Sequence, residues 1–220
     1  MSAPGAAKAG RGARARFPGV RAPRPLLSAE TERALTGRQR EVLENLETLL
    51  ADEKLAELTM AQIAAAMNCS LRTLYGIAPS KDELILTLVD RRLHRIGRAA
   101  TRALDERLPP LQAVRAYLAA ANEAVQPEAL TFSKAFADVP GASRLLDAHE
   151  DYVVAVTRAL LDRAVEAAAI PPVDTFAVAH VLGGLGREFS RPEVAEQAAE
   201  PPKATADALV EILLRGLESG

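Results

Sequence analysis

From Ser70 to Tyr75 the chain reads Ser-Leu-Arg-Thr-Leu-Tyr, three hydroxyls and one guanidinium within six residues. Such groups do no covalent chemistry by themselves. On one face of a helix they donate and accept hydrogen bonds and meet anionic oxygens, which is the chemistry of recognition. Residues that could do catalysis are sparse. The sequence has no phosphate-binding glycine loop, no nucleophile elbow and no zinc motif, and His149-Glu150-Asp151 reads as a helix surface or pocket edge. His94, His149 and His180 have no tight mutual spacing, so no metal site and no cofactor are expected. Cys69 is the sole cysteine, which excludes an internal disulfide and a multi-cysteine metal site. The expectation is a binding protein and not an enzyme, a helical enzyme being the weaker alternative.

The flanking pattern predicts what holds those six residues. Val42, Leu43, Leu46, Leu49 and Leu50 give a one-faced helix over Thr36 to Asp52. Thr59, with Gln62 three residues on, signals a capping box, and Met60, Ile63 and Ala64 begin the inner face of a short helix that stops near Met67. Asn68 tolerates the left-handed conformation of a sharp turn, and Ser70 is a suitable N-cap for the next helix. Pro79 is expected to end that helix, unless Gly76 lets it end earlier, and Ser80 with Glu83 to start a long fourth one. The outcome is helix, tight turn, helix. Leu74 and Cys69 should turn inward with Ile63 and Met67, leaving Ser70, Arg72, Thr73 and Tyr75 outward, where a helix entering a DNA major groove needs hydrogen-bonding groups. Two packed helices of an ordinary bundle would give the same spacing.

Composition sets the frame. With 49% hydrophobic and 25% charged residues but only 4% aromatics over 220 residues, the chain is expected to be a folded, soluble, all-α protein. No apolar run is long enough for a membrane span and no secretory core precedes the fold, so a cytoplasmic protein with no membrane partner is expected. Residues 1–27 carry +6 from Lys8, Arg11, Arg14, Arg16, Arg21 and Arg24, leaving −8 on the remainder. Rich in Gly, Pro and Ala, this segment is expected to be a disordered basic arm able to sit on phosphates, or a solubilising leader.

From Val42 to Leu84, about a fifth of the chain, the sequence resembles the DNA-binding domain of the tetracycline-repressor (TetR) family of transcriptional regulators. The matching residues are Val42-Leu43, Thr59-Met60, Ile63-Ala64, Ser70, Thr73-Leu74-Tyr75, Pro79-Ser80-Lys81 and Glu83-Leu84. The resemblance implies that Thr59, Thr73, Tyr75 and Lys81 hold phosphates while Ser70, Leu71 and Arg72 face the groove. Departures are Lys54 and Asn68 where the family often has glycine, Leu71-Arg72 for its Lys-Gly pair, and Gly76-Ile77-Ala78 for an aromatic-rich segment. Arg72 could reach a guanine or a phosphate, and Leu71 a thymine methyl. Arg91, Arg95, Arg98 and Arg102 form a stripe expected to be a solvated face.

The remainder reads as a second helical domain, which the resemblance makes a ligand-binding and dimerisation domain. Leu111, Val114, Leu118, Ala121 and Val125 make one apolar face. A short helix follows from Pro127 to about Val139, and a long one carries Leu145 to Val165. Pocket-lining candidates are Tyr117, Phe132, Phe136, His149, Tyr152 and Val156, a wall suited to a hydrophobic or amphipathic small molecule, or simply core. The last two helices present Phe176, Val181, Leu185 and Phe189 on one face and Leu209, Ile212, Leu213 and Leu217 on another. Gly183, Gly184 and Gly186 could admit a second helix closely, as in a four-helix homodimer interface. The expected organisation is an arm over 1–27, a three-helix helix-turn-helix domain over 28–83, and a ligand-binding and dimerisation domain over 84–220. The implied partners are an operator in double-stranded DNA, a second copy of the chain and a small-molecule effector, or a protein partner in the effector's place.

Overall fold

The computed structural model describes residues 17–49, 58–105, 107–125, 136 and 138–219. The elements among them are helices: α1 (Ala29–Ala34), α2 (Gly37–Leu49), α3 (Met60–Ala66), α4 (Leu71–Tyr75), α5 (Lys81–Arg102), α6 (Pro110–Ala121) continuing into a 3-10 turn (Asn122–Val125), α7 (Ala142–Glu166), α8 (Thr175–Ser190), α9 (Pro192–Ala195) and α10 (Pro202–Ser219). The all-α class and the helix-turn-helix follow the expectation. The short helices α1 and α9 carry too few apolar positions to show a period and went unread. The segment expected to be helical from Pro127 lies outside the described residues, apart from a buried Phe136 near its end.

Local caps set the boundaries. Ser28, Thr59, Ser70, Ser80 and Asp174 each accept a hydrogen bond from a first-turn amide of the following helix, and Thr59 with Gln62 completes the reciprocal box. Each such cap stabilises its helix by about 1 kcal/mol. At the C-terminus of α3, Asn68 (φ 48°) is left-handed, and the amides of Asn68 and Cys69 donate to Ala65 O at 3.0 Å and Ala64 O at 2.9 Å. That pair of bonds is the Schellman arrangement. The same pair ends α7, where the left-handed residue is Ala168 at φ 51°. Of the two stops read for this helix the earlier is used: α4 ends at Tyr75 with Gly76 as C-cap, before Pro79. Ile77 and Ala78 then turn inward and are buried, so Ile77 supplies bulk that Ala78 lacks.

Two apolar clusters fill the interior. The first joins Val42, Leu43 and Leu46 of α2, Ile63 and Leu74 of the helix-turn-helix, and Leu84, Ile85, Leu88 and Val89 of α5, and it extends to Phe136, Val139 and Ala142. The second gathers α6, α7, α8 and α10 around Tyr117, Val156, Leu160, Leu182 and Leu214, with Ala100 from the far end of α5. The domain boundary read at 83–84 therefore falls inside α5, which carries both cores. Of the arm expected to be disordered, residues 17–27 run as an extended strap over this junction. Leu27 is buried, Phe17 and Val20 pack on the second cluster, and the Leu26 amide donates to Asp90 Oδ2 at 2.9 Å. The apolar residues of 17–27 and Asp90 supply what a purely basic tail lacks.

The α7/α8 contact is close because Gly183 faces Val154: a Cβ on it would lie 2.8 Å from Val154 Cγ2 and 3.4 Å from the Val154 backbone. Gly184 likewise faces its own chain, a Cβ there standing 3.5 Å from a Glu150 carboxylate oxygen. Gly183 thus serves packing within the chain.

Ala168 holds a conformation that costs an L-residue about 1–2 kcal/mol. Ala168→Gly should raise stability by about 0.5–1 kcal/mol once glycine's greater unfolded-state freedom is deducted, measured as a higher urea midpoint at unchanged slope.

Candidate nucleic-acid interface

The helix-turn-helix is held from behind by α2. Arg38 Nη2 donates to both carbonyls of the turn, Met67 O and Asn68 O, at 2.8 Å each. Below it Ile63, Ala64 and Leu74 are buried against Val42, Leu43 and Leu46. Cys69 and Met67 are half-buried at the edge of that cluster, and burial pushes the Cys69 thiol above its ordinary range against the opposing pull of Arg38.

With the inner face filled, the outer face of α4 is what remains. Leu71 is 41% exposed and Tyr75 52%. The Arg72 side chain is exposed, and its guanidinium has no hydrogen bond or ion pair among the described residues. The three remaining hydroxyl positions have a different local role. Ser70 Oγ accepts from the Thr73 amide at 3.1 Å and pairs with Thr73 Oγ1 at 2.9 Å, while Thr59 Oγ1 donates to Gln62 Oε1 at 2.9 Å. Thr59, Ser70 and Thr73 thus build the helix starts that present Leu71, Arg72 and Tyr75. Lys81 stands half-buried at the first turn of α5, after the Ser80 cap.

The arginine stripe of α5 is solvated at Arg95, Arg98 and Arg102, as expected, and half-buried at Arg91. Arg91 bonds Glu47 Oε1 at 3.1 Å and pairs with Glu32, and Arg95 pairs with Glu47. These pairs tie α1 and α2 to α5. Only Arg98 and Arg102 are left as guanidinium groups of the stripe without an ion pair among the described residues.

The pocket candidates separate. Phe132 lies outside the described residues. Phe136 belongs to the first core and Val156 is sealed in the second. Tyr117 is also sealed, its hydroxyl has no partner among the described residues, and burial raises its pKa far above the usual range. His149 and Tyr152 do line a cavity of about 240 Å³, between strap residues Ala22 and Pro23 and the α5 residues Leu93 and Gly97. A second cavity of about 260 Å³ opens on the other side of His149, walled by Leu93, Leu146, Val153 and Gly186. At its rim Arg187 bonds Glu150 at 2.5 Å and Asp147 at 2.6 Å, holding the Asp147 carboxyl below its usual range.

One grouping escaped the sequence reading altogether. Asp90 and His94 lie one turn apart on α5, and the fold brings His149 of α7 to them. His149 Nε2 and His94 Nε2 each stand 3.3 Å from Asp90 Oδ1. The i, i+4 pair was the only local signal, since the third member is remote in sequence.

On the opposite surface, Phe176 and Val181 of α8 and Ile212 and Leu213 of α10 are exposed, Phe176 at 54% and Ile212 at 63%. Leu185 and Leu217 pack on the second core.

The chain matches no family model and no curated protein. Its fold is that of solved TetR-family regulators. The TetR family transcriptional regulator PfmR from Thermus thermophilus aligns at 22% identity and a TM-score of 0.58, covering 80% of this chain and 98% of that one. The fatty acid degradation regulator FadR from Bacillus halodurans aligns at 13% identity and a TM-score of 0.65 over 83% and 97% of the two chains. AibR, solved with isovaleryl coenzyme A and operator DNA, aligns at 18% and 0.57 over 80% and 97%.

Since Ser70 is a cap, Ser70→Ala should lower stability by about 1 kcal/mol whether or not DNA is present, and Ser70→Asp should restore most of it. Urea unfolding of the three proteins checks both.

Proposed function

We propose that this chain is a dimeric, sequence-specific DNA-binding transcriptional regulator of the TetR type, acting in the cytoplasm as a repressor that a small hydrophobic or amphipathic ligand releases from its operator. The observation that carries the reading is the outer face of α4. Leu71, Arg72 and Tyr75 stand in solvent on a helix whose start, end and underside are fully engaged. A five-residue helix is too short to be stable alone, so caps and packing hold it for some other contact.

In this reading α4 enters the major groove. The Arg72 guanidinium takes guanine O6 and N7 bidentately, and Leu71 meets a thymine methyl. Tyr75, Thr59, Thr73 and Lys81 contact phosphates, which position the helix without reading sequence, while the cationic residues before the strap add salt-dependent affinity. One such helix spans few base pairs. Exposed Phe176, Val181, Ile212 and Leu213 form an apolar face of the kind that marks a protein interface, and pairing two chains there supplies two reading heads. AibR, the neighbour that holds both a coenzyme A thioester and operator DNA, supports a ligand in the second domain. The two cavities share Leu93 and His149, so movement of these two side chains would merge them into a pocket of ordinary ligand size. A ligand acts only through differential affinity for the two spacings of the heads, and α5 links cavity to head.

Selection of bound duplexes from a random pool should recover a two-fold symmetric site with half-sites about 34–36 Å apart. On that site Arg72→Ala should cost about 1–3 kcal/mol and relax selectivity at one position per half-site, whereas Tyr75→Ala should weaken all sequences alike. Recovery of no preferred sequence, or affinity untouched by both changes, would refute the reading. Separately, Phe176→Asp with Ile212→Asp should give a monomer by light scattering that binds the operator far more weakly. A dimer that persists through both changes removes this face from the proposal.

A further inference from the structure

We infer that Asp90, His94 and His149 form a binding site for a late first-row divalent metal ion, of the Zn²⁺, Co²⁺ or Ni²⁺ class. The inference is independent of the DNA-binding reading, since it rests on donor geometry alone.

Each of the three side chains offers one donor atom, an imidazole nitrogen from each histidine and a carboxylate oxygen from Asp90, and these lie within 4.8 Å of one another. With metal–ligand bonds of about 2.0–2.1 Å, the edge of a coordination tetrahedron is about 3.3–3.4 Å. Two of the three edges, Asp90 to each imidazole, are 3.3 Å. A modest rotation of either ring closes the third. The rings meet edge to face with centroids 4.8 Å apart, so both nitrogens converge on the carboxylate without stacking.

The surroundings prepare these atoms for a cation. Asp90 is 1% exposed, deep for a carboxylate, and among the described residues neither lysine nor arginine pairs with it. Its second oxygen takes the Leu26 amide at 2.9 Å, which fixes the carboxylate plane as outer hydrogen bonds do in metal sites. His94 Nε2 is buried yet makes no hydrogen bond among the described residues, because its approach to Asp90 has the wrong direction for one. Two imidazoles and one carboxylate suit borderline ions and disfavour Mg²⁺ and Ca²⁺, which take oxygen donors. Three protein donors leave a position open, and the cavity beside Gly97 and Tyr152 gives room there for water or an anionic oxygen of a small ligand. A bound ion would staple α5 to α7 and, through Leu26, to the N-terminal strap.

The test uses the full-length chain, stripped with chelator and titrated with Co²⁺ and then Zn²⁺. One Co²⁺ per chain should bind with visible d–d absorption characteristic of mixed imidazole and carboxylate ligation, be displaced by Zn²⁺, and raise the Tm. His94→Ala and His149→Ala should each weaken binding about a hundredfold or more, while His180→Ala leaves it unchanged. Asp90→Asn, which keeps side-chain volume, should also weaken it, and circular dichroism reports whether each variant folds. The wild-type spectrum stands without any variant: no d–d bands at about 1 mM Co²⁺, far above the affinity expected of three such donors, overturns the proposal. So does binding that persists in folded His94→Ala and His149→Ala proteins, which would make the trio a hydrogen-bonding cluster alone. Neither result bears on operator binding, which the selection experiment reads separately.

Discussion

The constraint on which the rest of the molecule depends is the continuity of α5. Its first turns bury Leu84, Ile85, Leu88 and Val89 in the core that supports the helix-turn-helix, and Ala100 near its other end enters the core of α6, α7, α8 and α10. A single 22-residue helix, about 33 Å long at 1.5 Å per residue, therefore belongs to both units with no linker between them. Displacing one end without the other requires repacking a filled interior, and close-packed interiors do not deform gradually.

The polar groups at the middle of α5 reinforce this continuity. Arg91 and Arg95 reach back to Glu32 and Glu47, so the first two helices are clamped to α5 by charge as well as by apolar contact. One of the acceptors, Glu47, is largely buried, where a charge-assisted bond is screened less than a surface pair. Beside them on the same helix, Asp90 and His94 reach His149 of α7, and Asp90 also holds the strap. The two sets line one cavity, so a change at His149 acts on residues adjoining those that grip α1 and α2.

What was legible in the sequence had local causes. Thr59 with Gln62, Asn68 and Ser70 are read correctly because a cap or a left-handed turn depends on residues within three or four positions. The inward turn of Ile63 and Leu74 follows from period alone. What was missed depends on distant partners. The strap is ordered by Asp90, 64 positions from Leu26. Gly183 looked like an invitation to a second chain until Val154 of the same chain was found against it. The ion pairs of Arg91 and Arg95 went unseen because Glu32 and Glu47 lie on other helices. The end of α4 had two candidate stops in the sequence: Gly76 is reached before Pro79, and the burial of Ile77 outweighs another turn of a short helix.

The same distinction explains why the recognition face was readable and the second domain was not. A surface that meets a polar partner must leave hydrogen-bonding side chains out of the core, and their presence on one side of an otherwise apolar helix is visible in period. A cavity among aliphatic and aromatic residues has the composition of the core around it. Tyr117 and Val156 satisfy the same pattern as Tyr152, yet the first two are sealed and only the last borders open space. Nothing in residue type separates them, because the difference lies in whether neighbouring helices meet or stand apart. That is decided by such details as a glycine at 183 drawing α8 onto α7 at one level, while Leu93 and His149 hold α5 and α7 apart at another.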